Sequence, residues 1–310
     1  MKKNLYNFTI LSFLILCLFF ILSNPKEIIE AGIFSLEIWK KNIFPSLFPF
    51  FILADLLINY GFVGILGNLL KKPIQSLFHL RSVCAFVIIM SLLSGFPSSA
   101  KYITKLYHEK IITLKEANHL ITFTHFSNPL FILGTIFSLL NNQKICLCIL
   151  FAHYGANFIL GILLREKKQE TTQSKFEQTK KPFVACFSNS IENTIHTLAY
   201  ILGTITVFLV LTTVLFKYID LPILLKNILR GFLEITQGIK YISAMDLSIH
   251  LKGLIITIFL SFGGLCIHMQ VLGIIKDIKI KYSRYFFSRI LHAILASSLY
   301  LFFLIFLTRG

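Results

Sequence analysis

Apolar residues recur along the chain in runs of about 20, at residues 5–23, 43–66, 121–140, 145–164, 194–216, 253–275 and 290–308. A helix rising about 1.5 Å per residue needs roughly that many residues to cross the hydrocarbon core of a bilayer, so each run predicts a spanning helix. Two further apolar stretches, 83–100 and 228–246, are short or interrupted by polar residues and read as re-entrant hairpins. The most polar segment, REKKQETTQSKFEQTKKP at 165–182, has no apolar periodicity and divides the chain into halves. The predicted organisation is an N-terminal transmembrane anchor (1–24), a first repeat (25–164), a cytoplasmic linker (165–182), a second repeat (183–285) and a C-terminal transmembrane helix (286–310). Residues 1–23 start basic and run apolar like a signal peptide, but no small-x-small cleavage pattern precedes Asn24-Pro25. They are read as an uncleaved first span.

Composition agrees with the pattern. Of 310 residues 55% are hydrophobic and 14% charged, with a mean hydropathy of +0.76, which places the chain outside the soluble globular class. The net charge of +16 does not point to nucleic acid, because the basic residues sit in short loops between apolar runs. With seven crossings and two re-entrant segments, the N-terminus, 67–82, 101–119, 165–182 and 276–289 share one side. They hold 20 of the 30 Lys and Arg, which makes that side, and the N-terminus with it, cytoplasmic.

The two halves resemble each other. Ala100-Lys101-Tyr102-Ile103 recurs as Ile239-Lys240-Tyr241-Ile242, and the stretch from Ile121 to Pro129 is similar to that from Ile256 to Gly264. In the predicted topology, 83–100 dips in from the cytoplasm and 228–246 from the exterior, so the repeats are inverted. Paired broken segments in inverted repeats mark the binding site of a transporter.

Backbone that is not helical survives at membrane depth only where protein or a water-filled cavity satisfies its polar groups. Ser94-Gly95-Phe96-Pro97-Ser98-Ser99 therefore reads as a hairpin tip: Pro97 removes a donor, Gly95 permits positive φ, and the serines offer hydroxyls. The same composition also suits a cytoplasmic loop just beyond a helix end. The matching position holds Glu234, Thr236, Gln237 and Gly238. A carboxylate there is placed to accept a substrate donor, to bind a coupling H⁺ or Na⁺, or to pair with Lys240 or Lys101; an exterior loop glutamate is the plainer alternative. Ser127-Asn128-Pro129 and Ser261-Phe262-Gly263-Gly264 each predict a break near the middle of a span, where a half-helix N-terminus suits an anionic group. A simple proline kink is the alternative at Pro129.

Pro45 and Pro49 predict a distorted or unwound turn, or Pro45 merely begins a helix. Asp55 and Glu192 are the other acids of interest, Glu192 at the interface. His125, His153, His196, His268 and His292 fall in apolar runs without ligand spacing, and the six cysteines form no CxxC pair, so no metal or cofactor is expected. Without a nucleophile beside a base, a P-loop or a dinucleotide fingerprint, enzymatic activity is not expected.

Four blocks carry a family resemblance: Phe44 to Leu53 (FPSLFPFFIL), Leu93 to Lys101 (LSGFPSSAK), Phe126 to Gly134 (FSNPLFILG) and Leu260 to Gln270 (LSFGGLCIHMQ). They resemble the sporulation integral membrane proteins of the YlbJ, or SpoVV, family, which group with nucleoside recognition "gate" domain proteins, and the resemblance covers about residues 30–300. It implies an all-α inverted-repeat fold similar to concentrative nucleoside transporters, with two hairpins and two broken helices around the substrate. It also implies a role in endospore formation, moving dipicolinic acid from the mother cell across the outer forespore membrane. Carried over, the substrate-facing candidates are Ser94, Gly95, Pro97, Ser98, Ser99, Lys101, Ser127, Asn128, Pro129, Glu234, Thr236, Gln237, Gly238, Ser261, Gly263 and Gly264. Gly-Tyr-Pro is common in the family where this chain has Gly95-Phe96-Pro97. The expected partners are the lipid bilayer and a small anionic or nucleoside-like solute. A nucleoside or nucleobase carrier and a non-transporting scaffold for spore-envelope assembly are the alternatives; coupling ion, flux direction and homo-oligomeric state stay open.

Overall fold

A computed structural model describes residues 2–166 and 182–308. All the elements in these residues are helical, and the linker expected at 165–182 lies outside them except at its ends. The chain opens with α1 (Lys2–Ser23). Then α2 (Pro25–Ile38), a π-helical turn (Trp39–Ile43) and α3 (Phe44–Asn59) run as one helix of 35 residues. The π turn absorbs the distortion expected from Pro45 and Pro49, and Pro45 sits in the first turn of α3. Gly61, at φ 86°, ends that helix, so the span expected over 43–66 stops at Asn59 and the short α4 (Phe62–Leu69) and α5 (Lys71–Phe78) follow.

A 3₁₀ turn (Ser82–Cys84) leads into α6 (Ala85–Ser94), whose apolar run makes a bend of 96° with α5. After the tip, α7 (Ser98–His108) returns, so the hairpin expected at 83–100 extends to His108. A capping box between Thr113 and Glu116 starts α8 (Leu114–Phe123). The chain then unwinds over 124–128 and resumes as a π turn (Phe131–Ile136), α9 (Phe137–Leu140) and α10 (Gln143–Leu163).

The second half repeats this order. A long helix, α11 (Phe183–Tyr218), precedes a tight hairpin of α12 (Ile223–Leu233) and α13 (Ile235–Ser243). A helix broken at Gly263 into α14 (Ile249–Phe262) and α15 (Gly264–Ile274) follows, and then the long α16 (Tyr282–Thr308).

Among the described residues, five helices are long and apolar enough to cross a membrane: Pro25–Asn59, Gln143–Leu163, Phe183–Tyr218, Ile249–Ile274 and Tyr282–Phe306. The segments 7–23 and Phe131–Leu140 are apolar but shorter, so five candidate spans, or six with the bent pair of α5 and the 82–94 segment counted as one, stand beside the seven expected. The centre is built by α10, α14 and α16, which pack side by side, while α11 lies along α2 and α3. Trp39 Nε1 donates to the Leu198 carbonyl at 3.0 Å and Ser35 meets Thr206 at 2.7 Å, so polar groups fix the register of that outer pair.

Candidate functional site between hairpins and broken helices

The first break shows how a membrane protein leaves backbone unpaired at low cost. Pro129 opens the new helix, and Asn128 caps it by accepting from the Leu130 N–H at 2.7 Å. Pro129 is thus a helix start and not a kink. The freed groups of 124–128 find partners on flanking helices. Ser127 N–H donates to His153 Nε2 at 2.9 Å, Tyr154 Oη donates to the Ser127 carbonyl at 2.7 Å, and Asn157 Nδ2 donates to the His125 carbonyl at 2.7 Å. All three side chains come from α10. From α16, the fully buried Arg289 donates to the Thr122 carbonyl at the end of α8 and, at 3.0 Å, to His292 Nδ1.

The first hairpin tip closes on this break. Gly95, at φ 79°, packs so tightly on the Asn128 backbone that a Cβ would collide with it. Phe96 N–H donates to the Phe126 carbonyl at 2.7 Å and Asn128 Nδ2 to the Ser94 carbonyl at 3.2 Å. Behind the tip, Ser94 Oγ donates to Ser98 Oγ at 2.7 Å and lies 3.1 Å from Tyr102 Oη, while Ser98 Oγ donates to the Gly95 carbonyl.

The second hairpin turns at a single residue. Glu234 leaves helical geometry (φ −140°, ψ 116°), and its carboxylate caps α13, accepting from Thr236 Oγ1 at 2.6 Å and from the Gln237 N–H at 2.8 Å. Its arms touch through Gly231 and Gly238, and the Phe259 ring of α14 covers the glycine pair. At the second break Gly263 and Gly264 adopt positive φ, and His268 Nε2 bridges to the Phe262 carbonyl at 2.9 Å. The two breaks are tied directly: His153, whose Nε2 accepts from Ser127, contacts Ser261 Oγ through Nδ1 at 3.1 Å. Because Nε2 accepts, Nδ1 carries the proton and donates to the serine.

These elements enclose one cavity of about 290 Å³. Of the predicted site, Ser94, Pro97, Ser127, Asn128, Glu234 and Thr236 line it, while Gly95, Ser98, Ser99, Pro129, Gln237, Gly238, Ser261, Gly263 and Gly264 stand behind it as support. Lys101 is not at the cavity: it turns one helical turn away, beside Asp55, and neither it nor Lys240 pairs with Glu234. Lys240 is exposed and lies over the Phe34 ring, and Glu192 is exposed. The sequence reading missed Asn42 and Ser46 near the start of α3, Thr135 beyond the first break, and Gln270 on α15, all of which line the cavity. Their signal was a polar residue at the start of one apolar segment (Asn42, Ser46) or within two others (Thr135, Gln270). Ser127 Oγ, buried in the lining, has no hydrogen-bond partner within the protein.

A family model described as Gate, nucleoside recognition, matches residues 41–143, which hold the start of α3, the first hairpin and the first break. Over 321 residues the chain is 30% identical to the sporulation integral membrane protein YlbJ of Bacillus subtilis (strain 168), covering 89% of this chain and 78% of that protein. The chain belongs to the YlbJ family. No solved structure matches it. YlbJ-family membership and the apolar helices make it a multi-pass integral membrane protein of the sporulation class. The likeness to YlbJ extends past the Gate segment, so the second hairpin, the second break and the cavity they complete lie within a YlbJ-type chain.

Proposed function

We propose that this membrane protein is a carrier that binds a small polar solute between two inverted halves and passes it across the bilayer by alternating access. The observation that carries this reading is the convergence of two hairpins and two broken helices on one cavity with an unsatisfied Ser127 hydroxyl. Backbone broken at depth is costly unless it serves a cavity, and here both breaks serve the same one. The repeated order of long helix, hairpin, broken helix and long helix in each half supports the inverted repeat.

The solute is dipicolinate, carried from the mother cell across the outer forespore membrane, or a similar small anion. The helix beginning at Pro129 and α15 both present N-terminal ends at the cavity, where Asn128, Leu130 and Cys266 line it, and the positive end of the helix dipole favours a carboxylate. Glu234 does not oppose this strongly, since its oxygens are taken up in capping α13. A nucleoside is the second reading, favoured by the nucleoside-recognition match and by the amides of Asn42, Asn128 and Gln270 beside the rings of Phe96 and Phe131. Proteoliposome uptake with dipicolinate and uridine as competitors separates the two. Dipicolinate content, measured in mother cell and forespore with and without the protein, tests the sporulation role. Equal forespore dipicolinate in both strains would sink the dipicolinate assignment.

A further inference from the structure

Beyond the cavity, on α3 and α11, which wall it, and on α7, which starts after the cavity-lining Pro97, lies a second polar cluster. Asp55 of α3 is 2% exposed, with Lys105 Nζ at 3.2 Å from Oδ1 and Lys101 Nζ at 3.9 Å from Oδ2. Both lysines belong to α7, the returning arm of the first hairpin. Lys101 Nζ also donates to Thr194 Oγ1 of α11 at 3.2 Å and sits 4.3 Å from the centre of the Phe51 ring.

The cluster is displaced from the cavity along all three elements, farthest on α3 and α11 and least on α7. Along α3, Asp55 comes eight residues after the cavity-lining Leu47, about 12 Å; along α11, Thr194 comes seven residues before Ile201, about 10 Å. Along α7, Lys101 is one turn past Pro97, and exposure rises from 11% at Lys101 to 22% at Lys105 and onward to the exposed Glu109. The cavity's other end is rimmed by the exposed Lys41. The cluster therefore lies between the cavity-lining Pro97 and the exposed end of α7.

Two features make this more than a structural ion pair. The cluster holds two cations in direct contact with one carboxylate, and the next anion, the exposed Glu109, lies one turn beyond Lys105. Asp55 Oδ1 is buried and accepts no hydrogen bond, and Lys105, 3.2 Å from it, donates to the Asp55 backbone carbonyl at 3.3 Å instead.

Resting on the carrier reading, we infer that Lys101 and Lys105 form a second carboxylate-binding site, occupied by Asp55 while this end is closed and by the carboxylate of the solute as it opens. Asp55 is then an internal stand-in for the solute. Exchange of one carboxylate for another lets the first hairpin part from α3 without stranding two half-buried ammonium groups. It also makes passage, and not only binding in the cavity, depend on the solute's negative charge.

The test uses full-length protein and three solutes on one ring: pyridine-2,6-dicarboxylate, pyridine-2-carboxylate and the neutral pyridine-2,6-dicarboxamide. Binding is measured in detergent and uptake in proteoliposomes. Wild type is expected to bind the dianion most tightly. Lys101→Gln is expected to lower the dianion-to-diamide affinity ratio by about tenfold or more while diamide binding persists, and Lys101→Arg to keep the ratio. Asp55→Asn is expected to tighten the dianion and slow its uptake, because the competing carboxylate is gone. If Lys101→Gln and Asp55→Asn both leave the ratio within about twofold of wild type, the site is overturned while uptake by wild type upholds the carrier. Lys101→Arg behaving as Lys101→Gln with diamide binding intact overturns it as well, since the effect would then be one of shape. Wild-type liposomes that take up none of the three solutes overturn the carrier reading and this site together. Should Lys101→Gln fail to fold, Lys101→Arg and Asp55→Asn carry the test.

Discussion

The two hairpins occupy matching places in the chain and hold their neighbours by different means. The first is stapled by directed hydrogen bonds: its tip donates to Phe126, receives from Asn128, and is braced from behind by Ser94, Ser98 and Tyr102. At its tip the second keeps its polar contacts within its own turn, where Glu234 caps α13, and meets α14 through glycines under the ring of Phe259; it is bonded to α14 at the far end, where Lys252 Nζ donates to the Ser243 carbonyl at 2.8 Å. Even the shared Lys-Tyr-Ile motif divides this way. Tyr102 is fully buried and Lys101 ion-paired, whereas Tyr241 and Lys240 are exposed. Hydrogen bonds are directional and lost over a few tenths of an ångström, while apolar contact tolerates sliding. The contacts of the first hairpin's tip are therefore the more sensitive to its position, and those of the second's tip the less.

The contrast can be broken most severely at Gly95. Gly95→Ala forces a Cβ into the Asn128 backbone at a positive φ, and a destabilisation of about 3 kcal/mol or more is expected, read as loss of monodisperse protein or a large fall in Tm. Asn128→Ala removes both the cap on Leu130 and the link to Ser94, with about 1–2 kcal/mol expected from thermal melting and a loosened first hairpin in hydrogen exchange. Glu234→Gln keeps an oxygen to cap α13, so its effect on stability should stay below about 1 kcal/mol; a larger loss would show that the second hairpin depends on directed charge as the first does. Ser127→Ala should leave Tm unchanged, because the hydroxyl has no partner to lose, yet weaken solute binding by about tenfold. Unchanged binding there would remove Ser127 from the site.

The sequence made the breaks legible because glycine, proline and clustered hydroxyls are improbable in a lipid-facing helix. Positions 95–97, 127–129, 234 and 263–264 all depart from regular helix in the structure or bound such a departure. It did not show which side of an element each residue faces. Lys101 follows the tip by one turn, and only the packing of α7 on α3 reveals that it points to Asp55 and away from the cavity. Arg289 was hidden for a related reason. It falls one residue before the apolar run 290–308 and counted as a charge of the basic loop 276–289, yet α16 starts at Tyr282 and buries it completely. The histidines of α10 and α15 have no metal-ligand spacing, and in the structure His153 receives the Ser127 N–H while His268 meets the Phe262 carbonyl, both groups released at a break.

The two long helices along one side of the cavity carry a consequence for the membrane itself. Helix 25–59 and α11, at 35 and 36 residues, extend about 52 and 54 Å, against a hydrocarbon core of about 30 Å. Such helices tilt or reach into the headgroups, and their tilt follows the local bilayer thickness. Because Asn42, Ser46, Ile201 and Ile205 are carried on them, a thicker or thinner bilayer changes the angle at which one wall of the cavity stands. Lipid composition thereby becomes a setting of the protein's resting shape, and reconstitution in short-chain and long-chain lipids should yield differently poised molecules from the same chain.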